Sequence, residues 1–194
     1  MPMMQTKYYG EKSIKYDGLQ LAPHWIYRTF GLMGDAAVAF RGECEVKLTE
    51  MVDLEDVRAN APIYSREMLH FILEFFDTDL EKAVYRQRLL ITTIKESLER
   101  RDLMARRNGD DLYLSRGDGT RGKLSVSIAT ASPVSTLIHT GLNIISEGTP
   151  VPTIGLDDMN IRGMEIQALA VEILGRYAEE VADIWLARCK VRPV

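Results

Sequence analysis

The sequence predicts an α+β fold: one domain in which a mainly antiparallel or mixed sheet is flanked by helices. Residues 79–101 and 164–187 carry apolar side chains at helical spacing. Residues 36–46, 111–115, 123–130 and 137–145 read as strands, and helices alternating with such a meander give an α+β class. With 194 residues, 46% hydrophobic and 27% charged, the chain has the size and composition of a single domain, residues 1–194, with a substantial core.

The bulk numbers also exclude function classes. A net charge of −4 disfavours a protein built to bind nucleic acid, because phosphate recognition needs a basic surface. No apolar run approaches the ~20 residues needed to span a bilayer. Residues 1–7 have no apolar core or small-residue cleavage site, so no signal peptide is expected and the expected location is cytoplasmic. Cys44 and Cys189 stand far apart with no CxxC spacing, and a reduced pair is expected.

Residues 1–10 are expected to be a loose end or an edge strand, and residues 19–30 a short helix interrupted near Pro23. In 36–46, Val38, Phe40, Cys44 and Val46 alternate with Arg41, Glu43 and Glu45, the period of a half-buried strand. Gly42 falls on its apolar side and marks a bulge or a close approach. Asp53 is the expected N-cap of a helix through Asn60, ended by Pro62. Residues 67–76 are apolar on both faces, and periodicity leaves strand and helix open. For the helix at 79–101, Thr78 and Glu81 suggest a capping box, and Leu80, Val84, Ile91, Ile94 and Leu98 the buried stripe. Gly117-Asp118-Gly119 predicts a hairpin between 111–115 and 123–130. The last helix presents Ile166, Leu169, Ala170, Ile173, Tyr177, Val181 and Trp185, with Pro193 just past its end.

Two motif-like stretches fail on their chemistry. Gly117 to Lys123 has the G-x-x-x-x-G-K spacing of a phosphate loop. Leu124 stands where a magnesium-binding hydroxyl is required, however, and the following residues alternate as a strand instead of opening a helix. Asp110, Asp111 and Asp118 lack the glutamate that a calcium loop needs at its end, so no metal site is expected. Arg100, Arg101, Arg106 and Arg107 admit two readings, complementing a helix C-terminus or steering a phosphate.

Strand parity supplies a candidate site. On 123–130, Leu124, Val126 and Ile128 share one face, and Lys123, Ser125 and Ser127 the other. On 137–145, His139, Gly141 and Asn143 oppose Leu142 and Ile144. If the two strands pair around Pro133, Lys123, Ser125, Ser127, His139 and Asn143 meet on one polar face, around a gap at Gly141. That face is either a cradle for an anionic ligand or simply the wet side of an antiparallel sheet.

The same residues carry a family likeness. Asn-Gly-Asp-Asp-Leu at 108–112, Gly-Lys-Leu at 122–124 and His-Thr-Gly-Leu-Asn-Ile at 139–144 resemble the ordered catalytic core of the biotin and lipoate protein ligases. The whole chain also resembles a small, mostly archaeal family of unknown function placed near them. That likeness rests on Phe-Arg-Gly at 40–42, Met-Val-Asp-Leu-Glu-Asp at 51–56, Arg-Gln-Arg-Leu-Leu at 86–90 and residues 124–130. The resemblance implies a ligase-like fold and an enzyme that activates or transfers the acyl group of a small carboxylic acid, with ATP or AMP as the nucleotide and an acyl-accepting carrier protein as partner. It implies that Lys123 contacts the carboxylate and the adenylate phosphate, with His139 and Asn143 in the same pocket; a fixed cation there stabilises charge building on the reacting oxygens. The arginine- and glycine-rich nucleotide loops of the ligases do not occur. Arg41-Gly42 is their nearest analogue, and Arg106 and Arg107 are the other candidates for a phosphate. The alternative is a non-catalytic ligand- or partner-binding module that keeps the fold without the nucleotide loop.

Overall fold

The computed structural model describes residues 4–149 and 151–194. Strand β1 (Gln5–Tyr9) lies parallel to β2 (Ala36–Val46) at one sheet edge, which matches the edge-strand expectation for the first residues; Met1 to Met3 lie outside the described residues. Strand β3 (Ile63–Phe75) settles the open reading of 67–76. It is a central strand buried on both faces, which is why its apolar run shows no clean period. The helix expected over 19–30 is only α1 (Trp25–Phe30), because the chain ahead of it turns, and His24 at its start has φ 62°. Asp53 caps α2 (Leu54–Ala59) by accepting from the amides of Glu55 and Asp56 at 2.8 and 3.3 Å.

Helix α3 (Leu80–Glu99) starts one residue later than the Thr78 box suggested. The Asp79 carboxylate accepts from the Lys82 amide at 3.0 Å and is the cap. Ile91, Ile94 and Leu98 are buried as expected. Leu80 is 49% exposed, and Ala83, Gln87 and Leu90 complete the buried face instead. After α3 come β4 (Arg106–Asn108), β5 (Asp111–Ser115) and β6 (Arg121–Lys123), an antiparallel three-stranded sheet, then β7 (Ser125–Ala131) and β8 (Thr136–Asn143). The turn between β5 and β6 is the expected hairpin: Gly119 has φ 85°, its amide donates to the Arg116 carbonyl, and Asp118 accepts from the Thr120 amide at 2.8 Å. Helix α4 (Met164–Cys189) buries Ile166 through Tyr177 at the foreseen positions. Ala178 and Val181 still pack against that core, and Trp185 beyond them is only half-buried.

The larger sheet has the order β1-β2-β3-β8-β7. One face carries Ala37, Ala39, Leu69, Phe71, Leu73, Ile138 and Leu142, and α3 and α4 cover it with Ile91, Ile94, Ile166 and Ile173. The opposite face carries Val38, Phe40, Met68, Ile72 and Val126, and packs against Tyr16 and Ile26. Both cysteines are free, Cys44 buried and Cys189 exposed. No described helix is long and apolar enough to cross a membrane. Replacing Ile91, which is fully buried, by Ala should cost about 2–5 kcal/mol, whereas Trp185→Ala should cost under ~1 kcal/mol; denaturant midpoints of the two variants test this placement of the helix faces.

Candidate functional site

A cavity of about 640 Å³ lies on the sheet face away from α3 and α4. Its inner end is bordered by Tyr16, Cys44, Ser65, Met68 and His139. Its wall includes Val46, Met51, Ile63, Val126 and Ile128; Lys123, Asp110 and Asp111 line it with Asp53 and Asp56, and the buried Asn143 lies opposite Met68 across β3 and β8.

Residues 14–16 close the inner end. They run along β2, with the Ile14 amide donating to the Arg41 carbonyl at 2.9 Å and Tyr16 exchanging bonds with Glu43 and Glu45 at 2.8 and 2.9 Å. Gly42 serves both roles read from the sequence: β2 shifts register between Gly42 and Cys44, and a Cβ on Gly42 would lie 1.8 Å from the Ile14 carbonyl oxygen. Tyr16 then lays its ring over His139, centroids 3.7 Å apart at 14°. Behind them, His70 Nε2 is 3.1 Å from the Gly42 carbonyl oxygen, and His70 Nδ1 is 3.1 Å from His139 Nε2. Burial lowers both histidines, His70 to about 4, so both rings are neutral at pH 7. Burial raises the Tyr16 hydroxyl and pushes the Cys44 thiol up to about 12; neither is an ionised nucleophile at rest.

The two strands pair one residue out of the register that strand parity predicts. Val126 pairs with Gly141 and Ile128 with His139, while Ser125 and Ser127 pair with Leu142 and Thr140. Opposite residues share a face, so His139, Gly141 and Asn143 stand with Val126 and Ile128, and both serine hydroxyls turn toward the helix side. Ser125 Oγ accepts from the Leu112 amide at 2.9 Å; Ser127 Oγ meets Gln87 Nε2 of α3 at 3.0 Å and Thr140 Oγ1 at 2.8 Å. The two serines border the cavity at the sheet edge with their hydroxyls already engaged. Nor is 123–130 one strand. Leu124 is a junction: its amide donates to Leu112 in the small sheet and its carbonyl accepts from Asn143 in the large one.

Lys123 therefore reaches the cavity from the small sheet. Its ammonium pairs with Asp111 at 2.8 Å, and its carbonyl accepts from Asn143 Nδ2 at 3.4 Å. Thr153 packs beside it, so close that a Cβ on Gly122 would stand 2.5 Å from the Thr153 carbonyl carbon. Gly141 is off the lining, its α-carbon covered by Met68. Arg41 pairs with Glu67 at 2.7 Å and Arg107 donates to the Gly109 carbonyl at 2.8 Å; neither these two nor Arg106 lines the cavity. Arg101 takes the bland role read for the basic cluster, donating to the Ser97 carbonyl at 2.9 Å near the end of α3 and to Glu172 of α4 at 2.7 Å. Desolvation raises the carboxyls of Asp56 and Asp110. Among the described residues no cluster suited to a metal ion occurs. Sequence reasoning missed His70 and Tyr16. A lone histidine inside the apolar run of β3 was the available signal for the first, while Tyr16 sits in a segment without any period.

The fold is that of the biotin and lipoate protein ligase catalytic domains. It is similar to a bipartite lipoate protein ligase of Thermoplasma acidophilum (TM-score 0.59, 14% identity, 91% of this chain and 84% of that one). It is also similar to a biotin protein ligase of Aquifex aeolicus in complex with biotin (TM-score 0.58, 14% identity, 92% and 70%). Within that class, residues 4–192 match the family described as a domain of unknown function, DUF366, and the chain belongs to it. A protein of unknown function from Pyrococcus horikoshi has the same fold with a TM-score of 0.88 at 42% identity, over 98% of this chain and 99% of that one. The uncharacterized protein MJ0805 of Methanocaldococcus jannaschii is 38% identical over 177 residues, 88% of this chain and 77% of its own.

The buried histidines make stability pH-dependent. Their folded values lie below the ordinary value near 6.5, so the unfolded chain binds more protons as pH falls below that point. The stability is fully present above about pH 6.5 and declines toward pH 4, each histidine contributing a slope of up to ~1.4 kcal/mol per pH unit. Urea midpoints between pH 7 and 5 should fall in the native protein, and fall less steeply in His139→Gln.

Proposed function

We propose that the protein binds a small carboxylic acid in this cavity and activates or transfers its acyl group to a carrier protein. The observation that carries the reading is the position of Lys123, the sole lysine or arginine on the lining among the described residues, beside Asn143 in a cavity whose wall is otherwise partly apolar. The wall suits an alkyl or ring body, and the ammonium suits the carboxylate. The likeness to structures named as lipoate and biotin protein ligases supports an acyl ligand of this size.

Charge balance limits the chemistry. Glu50, Asp53, Glu55, Asp56, Asp110 and Asp111 line the cavity against that one lysine. A bare polyphosphate is repelled there, so ATP is expected to enter only as its magnesium complex. A second reading, a non-catalytic binding module, is favoured by the same balance. The lysine already has Asp111 as partner, and Arg41, Arg106 and Arg107 offer nothing to a phosphate in the cavity.

Calorimetric titration with lipoate, octanoate and biotin, with and without Mg·ATP, tests both readings. At least one acid should bind, and Lys123→Ala should weaken it roughly tenfold to hundredfold, the worth of one charge-assisted hydrogen bond. Pyrophosphate release with acid and Mg·ATP identifies ligase chemistry, movement of an acyl group between carrier thioesters without ATP identifies acyl transfer, and binding with neither identifies the binding module. Equal affinity of Lys123→Ala and the native protein for the acid would remove Lys123 from the site.

A further inference from the structure

The histidine pair at the cavity's inner end carries one lone pair that its own hydrogen bonds leave unused. The Gly42 carbonyl oxygen carries no hydrogen, so the 3.1 Å contact with His70 Nε2 requires the hydrogen on that nitrogen. A neutral His70 then has a bare Nδ1, which can only accept. Its 3.1 Å partner, His139 Nε2, must donate. A neutral His139 with its hydrogen on Nε2 has a bare Nδ1. No hydrogen-bond partner for that atom occurs among the described residues.

His139 is 3% exposed, yet its Nδ1 is not sealed in. Among the described residues the only fully enclosed side-chain nitrogen or oxygen without a partner is Glu172 Oε1. What His139 borders is the cavity, under the ring of Tyr16. The orientation is imposed from the far end. The Gly42 carbonyl sets His70, His70 sets His139, and the Tyr16 ring 3.7 Å away confines the His139 plane. A buried acceptor left empty costs free energy on desolvation, so a ligand that supplies a donor gains what a plain hydrocarbon loses.

We propose that His139 Nδ1 is a recognition point for a neutral hydrogen-bond donor, a hydroxyl or an amide N–H, on the buried part of the ligand. This deepens the carboxylic-acid reading of the same cavity: the acid's inner portion bears such a donor, and a simple fatty chain is the poorer ligand.

Long-range proton–nitrogen correlation of the full chain, labelled with nitrogen-15, reads the tautomers directly. His70 and His139 should both be neutral with hydrogen on Nε2, and hydrogen on His139 Nδ1 would overturn the proposal. Phenol, a neutral donor without a carboxylate, should bind roughly three- to tenfold more tightly than toluene, the worth of one neutral hydrogen bond. It should also shift the His139 Nδ1 resonance in the hydrogen-bonded direction. His139→Phe should erase the preference. His139→Gln, which keeps an N–H for His70 and offers a carbonyl oxygen to the cavity, should restore part of it. Equal affinity for the two probes, or an Nδ1 resonance that phenol leaves unmoved, sinks the idea even if His139→Phe fails to fold. Because phenol has no carboxylate, failure of octanoate to bind would remove the acid reading and leave this result to stand or fall alone.

Discussion

The approach of Ile14 to Gly42 is the constraint on which the site depends. A peptide carbonyl occupies the space of the missing Cβ, and any side chain there would have to displace it. That contact lets residues 14–16 pair along the bulged part of β2, and the pairing brings Tyr16 over His139. The same glycine supplies, through its own carbonyl, the acceptor that orients His70 and then His139. One residue without a side chain thus shapes the inner wall of the cavity and the polarity of its inner end. Gly122 repeats the device at the other end, where it admits Thr153 beside Lys123.

The sheet separates packing from chemistry. On the helix side, Leu69, Phe71, Leu73, Ile138 and Leu142 meet α3 and α4 in a continuous apolar core. On the other side, short segments cover the sheet: residues 14–16, α1 and α2. Two long helices bury a regular stripe directly against the sheet. Short, irregular covers leave a gap, and the residues around it come from different parts of the chain: Tyr16, Cys44, Asp56, Lys123 and His139. A site assembled this way tolerates change in its walls without disturbing the core.

The same division explains what was legible in the sequence. Elements that bury one face were readable: the stripe Ile91, Ile94, Leu98 of α3, the 166–177 face of α4 and the Glu43–Val46 end of β2, as was the Gly119 turn, whereas the 36–40 part of β2 is buried on both faces. The parity argument at 123–130 failed for a physical reason. It took the polar side of the strand as the open side, but Ser125 and Ser127 face inward, where the Leu112 amide, Gln87 and Thr140 satisfy them. Val126 and Ile128, taken as core, are the wall of the cavity. A strand whose buried face holds a hydrogen-bonded network reads backwards in a binary pattern. The break at Leu124 was invisible because alternation continues through it, although the hydrogen bonds pass from one sheet to the other.

The ionisation states of the site follow from where each group meets water. His70 and His139 are enclosed and neutral, and Cys44 and Tyr16 keep their protons. The charges gather instead around Lys123, Asp110, Asp111 and Asp56, where desolvation pushes Asp56 and Asp110 toward the protonated form while Lys123 pulls both back. Any anion that takes the Lys123 ammonium must compete with Asp111, which already holds it at 2.8 Å. The exchange is favourable only if the displaced Asp111 keeps a partner or reaches water, and it is helped if a neighbouring carboxyl takes up a proton. Asp56, already raised and close enough to sense both Lys123 and Asp111, is the group placed to do so. On the carboxylic-acid reading proposed above, an anion is therefore disfavoured beside Lys123 until the charge on the neighbouring carboxyls is reduced.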